Sequence, residues 1–231
     1  MTGSGCGSLK EFVVIIIQPD SQIMIPARII VFGSSTVYGR GDPERGGFVG
    51  RLRGWHEPKH SSNLVYNLGV PGDSVQGMLS RMEAEVSFRR PDLILLYPGL
   101  NDTRRTGSRG APTAISGEQF HAQLSALLDK SKKLAPTLMI SSFPVDETRT
   151  TPWQNSGRHE IFYLAEDARL FTDIGRSLCE ERKISYMPIF ETWSKGTDCR
   201  ALSIDGLHGS PEAHAKLFEE LKIFLCGMFE E

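Results

Sequence analysis

The chain is expected to fold as one three-layer α/β/α domain, doubly wound around a five-stranded parallel sheet. Five short apolar runs rich in β-branched residues recur along its 231 residues. They are near-continuous rather than alternating, which marks strands buried on both faces and hence parallel. Helical patterns separate them, so successive strands are joined by crossovers.

The first run is Arg28–Phe32, which stops abruptly in Gly33, Ser34, Ser35 and Thr36. Leu64–Asn67 is the second. After it, Val75, Met78, Leu79, Met82 and Val86 fall on one helical face at steps of three and four. Leu93–Tyr97 is the third run. Ser116 with Gln119 then reads as a capping box ahead of Phe120, Leu124, Leu127 and Leu128. The fourth run, Thr137–Ser141, precedes a long segment from about Ile161 to Glu181 that carries Leu164, Ala168, Phe171 and Ile174 on one face. The fifth is Ile184–Ile189. Ser210-Pro211-Glu212 opens a last helix with Leu217, Leu221, Phe224 and Leu225. Two irregular stretches, Thr103–Ser116 and Phe143–Arg158, follow strands at their carboxyl ends. Open α/β sheets place ligands there, so both stretches are expected to shape a pocket.

Composition narrows the partners. The length suits a single domain at 24–231, and residues 1–23 fit no element of the fold, so they read as an extension or a misassigned start. A formal net charge of −2 gives no basic field for nucleic acid or an anionic membrane. Cys6, Cys179, Cys199 and Cys226 lack zinc-site spacing, which leaves free thiols in a reducing compartment as the simplest reading. Phe12 to Ile17 is too short to span a bilayer and lacks a cleavage site, so no membrane span and a cytoplasmic location are expected. The oligomeric state is left open.

A serine becomes a nucleophile when a base takes its proton and donors meet the developing oxyanion. The chain offers each part. Ser34 or Ser35 sits at the end of the first strand. Asn67-Leu68-Gly69-Val70-Pro71-Gly72-Asp73 follows the second strand, its glycines freeing backbone N–H groups. Gly99-Leu100-Asn101-Asp102 brings a side-chain amide to the same rim. Asp205 and His208 stand three residues apart before the last helix, so one turn can bring carboxylate to imidazole. Each block alone is common turn or loop composition. Their conjunction, in order and each at a strand end or helix start, is what points to catalysis.

These four segments resemble the four sequence blocks of the SGNH hydrolases, also called the GDSL esterase/lipase family, over residues 29–208. The resemblance implies a flavodoxin-like fold. It implies Ser35 as nucleophile, His208 as general base and Asp205 as its orienting acid. It also implies an oxyanion hole made by the N–H groups of Ser35 and Gly72 and the amide of Asn101. Ser34 stands where the family usually has Asp.

The expected activity is that of a serine ester hydrolase acting through an acyl-enzyme on small or medium carboxylic esters, with no cofactor and no metal. Thioesterase, lysophospholipase, carbohydrate deacetylase and acyltransferase chemistry use the same parts. A catalytically silent binding module is the reading from a different class. The glycines at 33, 39 and 41 match neither the dinucleotide fingerprint nor the phosphate-binding loop. His56 and His60 are expected in a solvated loop, and His121, His159 and His214 form no metal cluster. Arg104, Arg105 and Arg109 form a basic cluster beyond Asn101: a solvated surface, or a contact for an anionic group on the substrate.

Overall fold

The computed structural model describes residues 25–154, 157, 159–196, 198 and 200–229; the extension read from residues 1–23 lies outside them. Strand β1 (Arg28–Gly33) runs into a single helical turn, α1 (Ser35–Tyr38), and then α2 (Gly47–His56). Strand β2 (Leu64–Gly69) leads to α3 (Val75–Ser87). Strand β3 (Leu93–Tyr97) leads through a 3-10 turn at Leu100–Thr103 into the short β4 (Arg105–Thr106). Next come α4 (Gly117–Leu134), β5 (Thr137–Ile140), α5 (Glu147–Thr150), β6 (Ile161–Phe162) and α6 (Ala165–Arg182). The order ends with β7 (Ser185–Met187), α7 (Ile189–Gly196) and α8 (Pro211–Met228).

Five strands pair in parallel in the order β2-β1-β3-β5-β7. From β1 the chain steps outward to β2, then crosses back to β3 on the other side of β1. The winding reverses between β1 and β3, and the crevice at their carboxyl ends is where such sheets bind ligands.

Alternate residues of each strand feed opposite faces, as the pleat requires. Ile29, Val31, Leu93, Leu95, Leu138 and Ile140 pack with Phe48 and Leu52 of α2 and Leu217 and Leu221 of α8. Ile30, Phe32, Ile94, Leu96 and Met139 pack on the other face with residues of α3, α4 and α6, among them Met78, Leu124 and Phe171. Burial on both faces is why the runs read as continuous rather than alternating.

The helix starts are specified locally. Ser116 Oγ accepts from Gln119 N at 3.1 Å while Gln119 Oε1 accepts from Ser116 N at 3.0 Å, closing the expected capping box. Ser210 Oγ accepts from Ala213 N at 3.3 Å, with Pro211 at the first helical position.

Three expectations need correction. The fifth strand ends at Met187, and Ile189 instead opens α7. The long helix begins at Ala165, because Ile161–Phe162 pairs antiparallel with Arg105–Thr106 as β6. His56 is not in a solvated loop. It ends α2, is buried, and its Nε2 donates to the Ala27 carbonyl at 3.1 Å; that burial lowers its pKa. Among the described residues no helix is long and apolar enough to cross a membrane.

Candidate active site

The site grows from the abrupt end of β1. A Cβ on Gly33 would lie 2.3 Å from Val37 Cγ2 and 3.0 Å from the Tyr97 carbonyl, so only glycine lets the chain turn here against α1 and β3. Ser35 is the first residue of α1, where its backbone N–H has no intrahelical acceptor. Its side chain is nearly buried at the crevice mouth, and Ser34 stands beside it with no capping hydrogen bond from its hydroxyl.

The segment ahead of α8 closes over this point. His208 Nε2 lies 3.0 Å from Ser35 Oγ, and His208 Nδ1 lies 2.8 Å from Asp205 Oδ2. An ionised carboxylate can only accept, so Nδ1 carries the ring proton of the neutral imidazole and Nε2 accepts from the Ser35 hydroxyl. Asp205 Oδ1 accepts the backbone N–H groups of Leu207 at 3.0 Å and His208 at 2.8 Å, fixing the turn that joins the pair. Burial alone would raise the Asp205 pKa. The hydrogen bonds and charge interaction with His208, together with the Leu207 N–H, outweigh it and hold the carboxyl far below its ordinary range.

The other predicted donors come from the loops that follow β2 and β3. Val70, Pro71, Gly72 and Asp73 form a turn closed by Asp73 N donating to Val70 O at 3.0 Å. Proline second and glycine third at φ +81° is the signature of a type II turn. Asn101 Nδ2 donates to the Asp73 carbonyl at 2.9 Å. That bond takes one of the two amide hydrogens and aims the other. Asn101 and Ser35 line one cleft of about 290 Å³, counting its open mouth, with Tyr97, Leu100, Leu207 and His208.

The arginine cluster divides. Arg105 forks onto Asp167 at 2.7 and 2.8 Å, which ties β4 to α6. Arg109 is exposed and paired with Glu147 at 2.9 Å. Arg104 is exposed, and among the described residues its guanidinium enters no hydrogen bond or ion pair.

Several site residues carried no separate signal in the sequence. The Tyr97 hydroxyl accepts from Phe143 N at 2.7 Å, joining the ends of β3 and β5 beneath the cleft. The ring of Trp153 lies 5.8 Å from that of His208 and 6.0 Å from that of Tyr163. His214, in the first turns of α8, is fully buried. Its Nδ1 accepts from Phe48 N at 3.2 Å and its Nε2 donates to Arg40 O at 2.9 Å, and burial lowers its pKa, so it stays neutral as a brace.

Asp102 follows the amide donor and is buried, with Val75 N at the start of α3 donating to it at 3.1 Å. Burial, reinforced by the charge of Asp73, pushes its pKa from 3.8 up to about 6. A carboxyl whose pKa is raised by folding contributes stability that is complete below its unfolded pKa and lost as pH rises through about 6. Asp102→Asn cannot ionise. Relative to wild type it should therefore gain about 2 kcal/mol between pH 4 and pH 8, the pH-independent part cancelling in the comparison. Urea unfolding of both proteins at the two pH values checks this; parallel stability curves would contradict it.

The family model for GDSL-like lipase/acylhydrolases matches residues 31–216. The chain belongs to that family. It is a carboxylic ester hydrolase with the three-layer fold of its relatives. The GDSL esterase/lipase WDL1 of Oryza sativa subsp. japonica is 24% identical over 196 residues, covering 83% of this chain and 75% of its own. A lipase/acylhydrolase structure from Enterococcus faecalis superposes with a TM-score of 0.69 at 20% identity, covering 87% of this chain and 96% of that one. The acetylxylan esterase Axe2 of Geobacillus stearothermophilus superposes at 0.66 and 16% identity, with 89% and 96% covered.

Proposed function

We propose that this GDSL-like hydrolase cleaves small carboxylic esters through an acyl-enzyme on Ser35. The Ser35–His208–Asp205 relay is the observation that carries the reading. His208 Nε2 takes the hydroxyl proton as Oγ bonds to the ester carbonyl carbon, and the carbonyl electron pair moves onto oxygen. The Ser35 and Gly72 N–H groups and the free Asn101 amide hydrogen receive that oxyanion. Collapse of the intermediate expels the alcohol, protonated by the imidazolium. Water, deprotonated by the same imidazole, then releases the acid. Asp205 holds the tautomer throughout and stabilises the imidazolium.

The modest cleft favours short acyl groups over long chains. Hydrolysis of nitrophenyl esters from acetate to decanoate tests this. A profile falling with chain length is expected, and a rising one would overturn the short-acyl assignment. Failure to hydrolyse any ester, together with no labelling by a fluorophosphonate, would identify a silent binding module instead.

Asn101→Ala removes one oxyanion donor and is expected to lower kcat by about 10²–10³ with little change in KM. An unaltered kcat would take Asn101 out of the mechanism.

A further inference from the structure

The stretch between β3 and α4 places an exposed cation, Arg104, three residues beyond the oxyanion donor Asn101. The Arg104 N–H donates to the Asn101 carbonyl at 3.3 Å, so the residue closes the same 3-10 turn that carries the oxyanion donor. Its neighbour Arg105 is locked onto Asp167 and Arg109 onto Glu147, while the Arg104 guanidinium has no such partner among the described residues. A guanidinium presents five donors in a planar fork suited to oxyacids, and here the fork is unspent.

Register shows what lies across from it. Arg105 pairs with Phe162 and Thr106 with Ile161 in the antiparallel ladder. Continuing that register by one residue sets Arg104 opposite Tyr163. Arg104 and Arg105 then face opposite sides, which explains why only the second reaches Asp167. Burial pushes the Tyr163 hydroxyl up to about 12; the charge of Arg104 opposes that rise and the charge of Asp205 adds to it.

From Tyr163 the path leads back to the base. The Trp153 ring stands edge-on to Tyr163 and beside His208. Its indole N–H is buried and has no hydrogen-bond partner among the described residues, a donor that is costly to leave unmade. In a triad hydrolase the imidazole hands its proton to the departing alcohol, so the alcohol portion lies on the histidine side. On that side the Trp153 and Tyr163 rings run from His208 towards the β4–β6 ladder, which Arg104 precedes.

We propose that Arg104 is an anion-binding residue at the mouth of the cleft, and that the enzyme prefers esters whose alcohol portion carries a carboxylate, sulfate or phosphate group. This specificity rests on the ester-hydrolase reading of the same site.

The test compares phenyl acetate, para-carboxyphenyl acetate and para-trimethylammoniophenyl acetate on wild type, Arg104→Ala, Arg104→Lys and Arg109→Ala. Differences in intrinsic reactivity between the esters cancel when variants are compared on the same set. Arg104→Ala should lower the carboxylate-to-neutral ratio of kcat/KM about tenfold, mainly through KM, with the opposite trend for the cationic ester. Lysine should restore part of the ratio, high salt should erase much of the preference, and Arg109→Ala should leave the ratio as in wild type. An unchanged ratio in Arg104→Ala, or an equal loss on all three esters, overturns the proposal. Phenyl acetate turnover that disappears in Ser35→Ala keeps the hydrolase reading standing in that event. Absence of turnover on every ester brings down both.

Discussion

Ser35→Ala is expected to lower ester turnover by about four to six orders of magnitude, while Ser34→Ala keeps most of it. The two serines are adjacent, yet only Ser35 has its hydroxyl within 3.0 Å of an imidazole nitrogen. That nitrogen is free to accept because the other is held by Asp205 at 2.8 Å. Without Oγ no acyl-enzyme forms, and the residual rate comes from the oxyanion donors and binding alone, which leaves a large gap to the intact enzyme. Ser34 has a different position: it precedes α1, and its carbonyl accepts from Tyr38 N at 3.0 Å, a bond that alanine preserves. Steady-state kinetics on nitrophenyl acetate check the pair. Equal losses in both variants would show that the turn, rather than one hydroxyl, carries the effect.

Asp205→Asn should lower kcat by about 10⁴ without unfolding the site. The amide oxygen of asparagine can take over the two backbone N–H groups that Asp205 Oδ1 now receives. Its NH2 group would then face His208 Nδ1 as a donor. The imidazole must answer with the other tautomer, Nδ1 accepting and Nε2 protonated, and so it cannot receive the Ser35 proton. Stability has its own sign. Asp205 has a depressed pKa when folded, so its contribution is present above the unfolded carboxyl pKa and is lost only as pH falls through the folded value. The variant should therefore be less stable than wild type at neutral pH, with the difference shrinking in strong acid. Thermal unfolding across pH separates this from the kinetic loss, since the kcat deficit should persist at temperatures where both proteins are fully folded. A deficit that tracked the unfolded fraction would contradict the tautomer argument.

How much of this was legible before the structure depends on how local the cause is. The capping box at Ser116 and the proline after Ser210 each act within one helical turn, and both sit where the sequence puts them. The central strands β1, β3 and β5 were readable because burial on both faces keeps them almost wholly apolar. Helix α2 was not: glycines at 47, 50 and 54 dilute its pattern, although Phe48, Leu52 and His56 share its inner face. Strands β4 and β6 are two residues each and exist only because they meet across some 55 positions of chain, so no local pattern announces them. The same distance hid the neighbourhood of Trp153, Tyr163 and His208. It also hid the split among the arginines, since charge and spacing are alike for all three and only the placement of Asp167 and Glu147 tells them apart.

The most direct measurement is mass analysis of the protein after reaction with an alkyl fluorophosphonate, with peptide mapping of the adduct. One adduct per chain on Ser35 is predicted, forming slowly in His208→Ala and not at all in Ser35→Ala. An adduct on Ser34 or another residue, or ester hydrolysis by a protein that takes up no label, would contradict an acyl-enzyme on Ser35.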